Sequence, residues 1–118
     1  NNQTVDIFNP KTIRATMGSI FRVPFVYVPE LSPVLTQMHE KGIHTYAAHL
    51  KGQKYYDSFS FREPTAFLIG NEGNGLTKEI SDQAGQYLKI PMEGKVESLN
   101  ASIAAALLMY EAHRQRNL

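Results

Sequence analysis

Apolar and polar positions along the chain fall into short blocks separated by proline, glycine and capping residues. Asn9-Pro10 puts an N-cap side chain before a proline at the first helical position, where the missing N–H costs nothing. The spacing of Ile13, Met17 and Ile20 predicts a helix running from there towards Phe21. Phe25-Val26-Tyr27-Val28, between Pro24 and Pro29, reads as a short buried strand. Ser32-Pro33 repeats the cap-plus-proline signal, and the second helix should stop near Gly42. Ile43 to Ala47 is a further strand, whereas Tyr55 to Pro64 is polar and aromatic without a period and reads as loop. Thr65-Ala66-Phe67-Leu68-Ile69 is apolar throughout, as an interior parallel strand is. A short helix from Thr77 to Gln83, a strand at Tyr87 to Ile90 and a long helix from about Ser98 to Arg116 complete the series. Strands separated by helices predict an α/β fold, a mostly parallel sheet with helices on both faces.

Length and composition narrow the class. A chain of 118 residues holds one domain with a real core, and 42% hydrophobic with 19% charged is ordinary globular composition. Lys and Arg total 12 against 11 Asp and Glu, so whole-chain charge announces neither a nucleic acid nor a membrane. Cysteine is absent, which excludes a disulfide scaffold, a thiolate metal site and a cysteine nucleophile, and fits a reducing, cytoplasmic setting. No apolar run approaches the ~20 residues that span a bilayer. The opening Asn1-Asn2-Gln3-Thr4 has neither the basic nor the apolar part of a signal peptide, and it lacks Met, so it reads as an internal cut.

Ligands of open parallel sheets bind outside the carboxyl ends of the strands, and two segments occupy that kind of place. Gly70-Asn71-Glu72-Gly73-Asn74-Gly75 follows the apolar strand directly. Its glycines permit close backbone approach and positive φ. Its order matches neither the dinucleotide fingerprint nor the phosphate-binding loop, and a simple chain-reversing turn explains it equally well. In Ile90-Pro91-Met92-Glu93-Gly94-Lys95-Val96-Glu97-Ser98-Leu99-Asn100 a strand passes through a Pro/Gly loop into a helix. Capping accounts for Ser98. Asn100 falls in the first turn of an alanine-rich helix, where a buried amide needs partners, so capping and function compete for it.

Taken together, the two segments resemble a known family. Gly70-Asn71-Glu72-Gly73-Asn74-Gly75-Leu76, then Ile90-Pro91-Met92-x-Gly94 and Ser98-Leu99-Asn100-Ala101-Ser102-Ile103-Ala104, ending in Tyr110-Glu111, are similar to the second and third motifs of the SpoU (TrmH-like) branch of the SPOUT RNA methyltransferases. Val5-Asp6-x-x-Asn9-Pro10-Lys11-x-x-Arg14-Ala15-x-Met17-Gly18-Ser19 looks like a segment upstream of them. The resemblance implies methyl transfer from S-adenosylmethionine to a ribose 2′-hydroxyl of rRNA or tRNA. It also implies a homodimer and a C-terminal deep trefoil knot, an exception to the rule against threaded chains. Carried onto matching positions, Gly70, Ile90 and Leu99 line the adenosylmethionine pocket with Met92 and Gly94 near it, and Glu72, Ser98 and Asn100 belong to the active centre. The family's first motif, with its catalytic arginine, is not found; Asn9…Arg14-Ala15-Thr16 is only superficially like it. The resemblance therefore implies a domain truncated at its N-terminus and inactive alone, and the alternative is a non-catalytic adenosylmethionine- or RNA-binding module.

Other features add less. The C-terminal helix ends His113-Arg114-Gln115-Arg116, which suits compensation of the helix dipole; family resemblance places Arg114 and Arg116 against RNA phosphates instead. His39, His44 and His49 lack the spacing of a helical metal pair, so no metal is expected. Leu99, Ile103, Leu107 and Tyr110 read as core or dimer packing. Lys51, Lys54, Tyr55 and Tyr56 read first as a solvated loop, with a stacking-and-charge RNA patch as the alternative.

Overall fold

The structure, a computed structural model, describes residue 4 and residues 6–49, 52–71, 75–92 and 100–118. The chain divides into two units, Asn1–Leu31 and Ser32–Leu118.

In the first unit the Asn9 side chain accepts from the Lys11 N–H and α1 spans Pro10–Ala15. The helix stops well short of Phe21. Met17 (φ 52°) and Gly18 (φ 87°) enter the left-handed region and turn the chain, leaving only a 3-10 turn at Ser19–Phe21. Phe25–Val28 forms no strand: it has no ladder partner among the described residues, and Phe25 and Val26 are exposed. Local order there comes from aromatic edges, with Phe25 meeting Phe8 at 6.0 Å and Tyr27 at 6.1 Å, and from the Ile7 N–H donating to the Tyr27 hydroxyl.

The second unit carries the sheet. Helix α2 (Ser32–Glu40) ends in paired bonds from Gly42 N–H to His39 C=O and from Ile43 N–H to Met38 C=O, the pattern that reverses a chain at a helix C-terminus. Strands β1 (His44–Ala48), β2 (Thr65–Leu68) and β3 (Gln86–Leu88) then pair in the order β2-β1-β3, all parallel. Helix α3 (Lys78–Gln83), capped by the Thr77 hydroxyl, joins β2 to β3, and α4 (Ala101–Arg116) follows.

Alternation along the central strand explains the layering. Ala47 packs with Leu35 of α2 and Leu68 of β2, joined by Met38 and Ile80 of α3. Tyr46 points the other way, into a cluster with Phe61, Leu88, Leu108 and Ala112, so α4 covers the second face. Helices on both faces of a parallel sheet are thus as the pattern predicts. Phe61 is wholly buried, with its ring 5.1 Å from Tyr46 and 5.0 Å from Phe67 in edge-to-face contact, although it lies in the stretch that reads as loop. No helix among the described residues is long and apolar enough to cross a membrane.

Candidate active site

The strand order sets where a ligand sits. From the centre the chain moves to β2 on one side, then crosses to β3 on the other, which makes the carboxyl ends around β1 the switch point at which open α/β sheets bind ligands. Gly70 follows β2 by two residues and Ile90 follows β3 by two, which brings both glycine-rich and proline-containing segments to that pole.

Gly70 is held by steric necessity. A Cβ there would lie 2.3 Å from the Gly75 carbonyl carbon and the Leu76 nitrogen, so nothing larger than hydrogen fits. The Gly75 N–H donates to the Asn71 C=O at 2.9 Å, closing the loop, and Gly75 turns it at φ 65° with open space where its own Cβ would be. The close approach that glycine permits at position 70 is therefore to its own chain. Glu72, Gly73 and Asn74 lie outside the described residues.

On the other side, Leu88 and Lys89 are fastened at 2.9 Å by three bonds: His49 N–H to Leu88 C=O, Lys89 N–H to Lys54 C=O and Tyr56 N–H to Lys89 C=O. Ile90 packs partly buried against the α4-side cluster, and Met92 is half-buried. Gly94, Ser98 and Leu99 lie outside the described residues.

Asn100 is the N-cap of α4, not a residue of its first turn. Its Oδ1 accepts from the N–H groups of Ser102 (2.9 Å) and Ile103 (3.3 Å) and from the Ser102 hydroxyl (2.6 Å), and the residue is exposed. Capping fixes the rotamer of the amide and so fixes which way its nitrogen faces.

Arg114 and Arg116 stand elsewhere. They are some 20 Å from Asn100 along α4, at about 1.5 Å per residue. Arg114 makes a two-pronged pair with Glu111 (2.8 and 2.9 Å), and this pair, with the Gln115 amide, holds the Glu111 carboxyl down to about 2. Arg116 donates to the backbone carbonyls of Phe61 (2.9 Å) and Glu63 (3.0 Å). Ile103 and Tyr110 face outward; the core side of α4 is Ala104, Leu108, Ala112 and Gln115.

Two polar residues that the sequence pattern passes over are central. Gln115 is buried, accepts from Phe61 N–H at 2.6 Å and donates to Phe59 C=O at 2.9 Å. Thr45 is buried in β1; its hydroxyl accepts from Gly85 N–H and lies 2.8 Å from His39 Nε2, tying α2, β1 and the entry to β3 together. No group of His, Asp or Glu among the described residues is arranged to hold a metal ion.

With this geometry in place, comparison with known proteins is decisive. Residues 1–110 match the SpoU rRNA Methylase family. The chain belongs to that family. TrmH-family protein YacO of Bacillus subtilis is 38% identical over 104 residues, covering 88% of this chain and 42% of YacO. Among solved structures, the SpoU methyltransferase AviRb of Streptomyces viridochromogenes, in complex with AdoMet, superposes with a TM-score of 0.87 at 35% identity, covering 96% of this chain and 47% of AviRb. An RNA 2′-O ribose methyltransferase aligns with a TM-score of 0.85 at 35% identity, over 98% of this chain and 44% of that one. The SpoU-family chain thus spans less than half the length of these relatives.

Proposed function

We propose that this SpoU-family domain binds S-adenosylmethionine at the carboxyl ends of β2 and β3 and serves 2′-O-methylation of ribose in rRNA or tRNA. The observation that carries the reading is the placement of the Gly70–Gly75 loop and the Ile90–Met92 segment at one pole of the sheet, in a chain 35% identical to an AdoMet-bound SpoU enzyme. The residues present fit that cofactor. Backbone N–H and C=O groups beside half-buried Ile90 and Met92 suit an adenine edge and an apolar thioether arm, and neither needs a charged partner.

When bound, the cofactor supplies an electrophilic methyl group on a sulfonium. The chain's own part would be to hold the cofactor, to orient a ribose 2′-hydroxyl towards that methyl group and to activate the hydroxyl for loss of its proton. Gly70, Ile90, Met92, Gly94 and Leu99 line the pocket. Asn100, held by its own cap bonds, orients the target nucleotide, with Glu72 and Ser98 beside it. Activation of the hydroxyl, by a base or by a group that lowers its pKa, is assigned to a first-motif arginine, which these 118 residues do not contain. In keeping with the family, the C-terminal part is proposed to be knotted and the domain to pair as a homodimer through the outward apolar face of α4, while Arg114 and Arg116 meet RNA phosphates.

Calorimetric titration with S-adenosylmethionine tests the reading. Micromolar binding, about −8 kcal/mol, that is lost in Met92→Glu places the cofactor at this pole. A folded wild-type chain with no heat at millimolar cofactor overturns the assignment.

A further inference from the structure

Beyond β3 the sheet acquires a short extra rung. The bonds from Lys89 N–H to Lys54 C=O and from Tyr56 N–H to Lys89 C=O make Tyr55 and Lys89 partners in a parallel bridge. Bridge partners project from the same face of a sheet, and the residues before and after them project from the other. Tyr56 and Ile90 accordingly pack into the α4-side cluster, while Tyr87 packs on the α2/α3 side. Tyr55 and Lys89 therefore share the Tyr87 face, where the Tyr87 ring stacks on His49 at 4.9 Å and 18°. Tyr55 is 49% exposed; Lys54, the residue before it, is exposed on the opposite face. The Asp82 carboxylate at the border of this surface is occupied by the Tyr87 hydroxyl at 2.7 Å. The result is a face that carries the stacked Tyr87 and His49 rings, the exposed Tyr55 and one cation, Lys89, one residue away from Ile90.

We propose that Tyr55, with Lys89 beside it, is a platform on which an unpaired RNA base next to the modified nucleotide stacks, the Lys89 ammonium meeting an adjoining phosphate. This rests on the RNA methyltransferase reading and extends it to the part of the substrate that is not chemically changed. Three features favour a single-stranded nucleotide. The ladder fixes the backbone that carries the ring, every base presents a π-face to it, and Lys89 on the same face matches a phosphate in charge. The ladder also sets the ring's distance from the cofactor pole, so a base seated on it positions its neighbour's ribose.

The test uses the whole chain and a fluorescein-labelled, unstructured RNA of about 12 nucleotides, read by anisotropy over a series of salt concentrations, with cofactor calorimetry in parallel. Tyr55→Ala is expected to weaken RNA binding about tenfold whatever the base sequence, and Tyr55→Phe to restore it to within about twofold. Lys89→Ala is expected to lower the slope of log affinity against log salt by about 0.7, and cofactor affinity should stay unchanged in all three variants. Wild-type-like RNA binding by both alanine variants, or no RNA binding by a wild-type chain that does bind cofactor, overturns the platform and leaves the methyltransferase reading standing. Failure of the wild-type chain to bind cofactor counts against that reading instead. Unchanged RNA affinity with self-association abolished by Tyr55→Ala, measured by sedimentation, would assign the surface to a protein contact and also overturn the proposal.

Discussion

The two poles of the sheet are held by opposite means. At the amino pole, the end of α4 reaches across more than 50 residues of sequence: Gln115 and Arg116 satisfy the backbone of Phe59, Phe61 and Glu63 through side chains. At the carboxyl pole most of the fastening is main chain to main chain, at Leu88 and Lys89 across the sheet and elsewhere within a few residues. Gly75 closes onto Asn71, and Asn100 closes onto Ser102 and Ile103. Long-range side-chain knitting fixes one end of the molecule. The other end keeps its N–H and C=O groups near the surface, which suits a site that reads a ligand with backbone. Arg116 at the amino pole is accordingly engaged in holding the fold, whatever else it meets.

The sharpest way to break the contrast is at Gly70. Gly70→Ala drives a methyl into the backbone of Gly75–Leu76, and a loss of about 3 kcal/mol in urea unfolding is expected. Gly75→Asn, where space is open and only φ is demanding, should cost less than about 1 kcal/mol. Equal losses at both positions would mean that crowding does not define the loop's neck.

Next comes Gln115→Ala, which strands a buried N–H and a half-buried C=O and should cost about 2–3 kcal/mol. Gln115→Glu keeps an acceptor for Phe61 but turns a carboxylate onto the Phe59 carbonyl and the Glu111 carboxylate, so its loss should match or exceed that of Gln115→Ala. A neutral result for both would remove the knitting from the account. Asn100→Ala should cost about 1 kcal/mol as a lost helix cap. In a full-length relative it should lower turnover more than cofactor affinity, and a normal rate would leave capping as its whole role.

The smallest effect concerns Glu111. Its carboxyl is held down to about 2 by Arg114 and then Gln115, so its stabilising contribution is complete above about pH 4.5 and fades as pH falls towards 2. Acid titration of thermal stability should show the Glu111→Gln variant converging on the wild type across that window. Parallel curves at every pH would show that the pair does not contribute.

The sheet was legible because β1, β2 and β3 are apolar runs bounded by glycine, proline and caps, and all three lie within a residue or two of the predicted bounds. Phe25–Val28 misled because an apolar run says nothing about whether a neighbouring strand is there to pair with it. The helix predicted to Phe21 ended at Ala15 because Met17 and Gly18 turn left-handed, and Met carries no marker for that. Asn100 is the clearest case at the site. Pattern placed the helix start two residues early, at Ser98, which made a capping side chain look like a buried polar one. Phe61 and Gln115 were hidden for a related reason: neither has periodic neighbours, since each is defined by its partner some 54 positions away.

That separation also governs synthesis. A ribosome adding about 5–20 residues per second needs roughly 3–11 s to pass from Phe61 to Gln115. Throughout that interval the Phe61 amide lacks its native acceptor, and the α4-facing side of the sheet, with the Phe61 and Tyr46 rings, is uncovered. The nascent chain can form its helices and part of its sheet as they emerge, but this face closes only when the last turn of α4 arrives. The domain is therefore built to finish late, and a chaperone that shields aromatic surface would find its longest opportunity here.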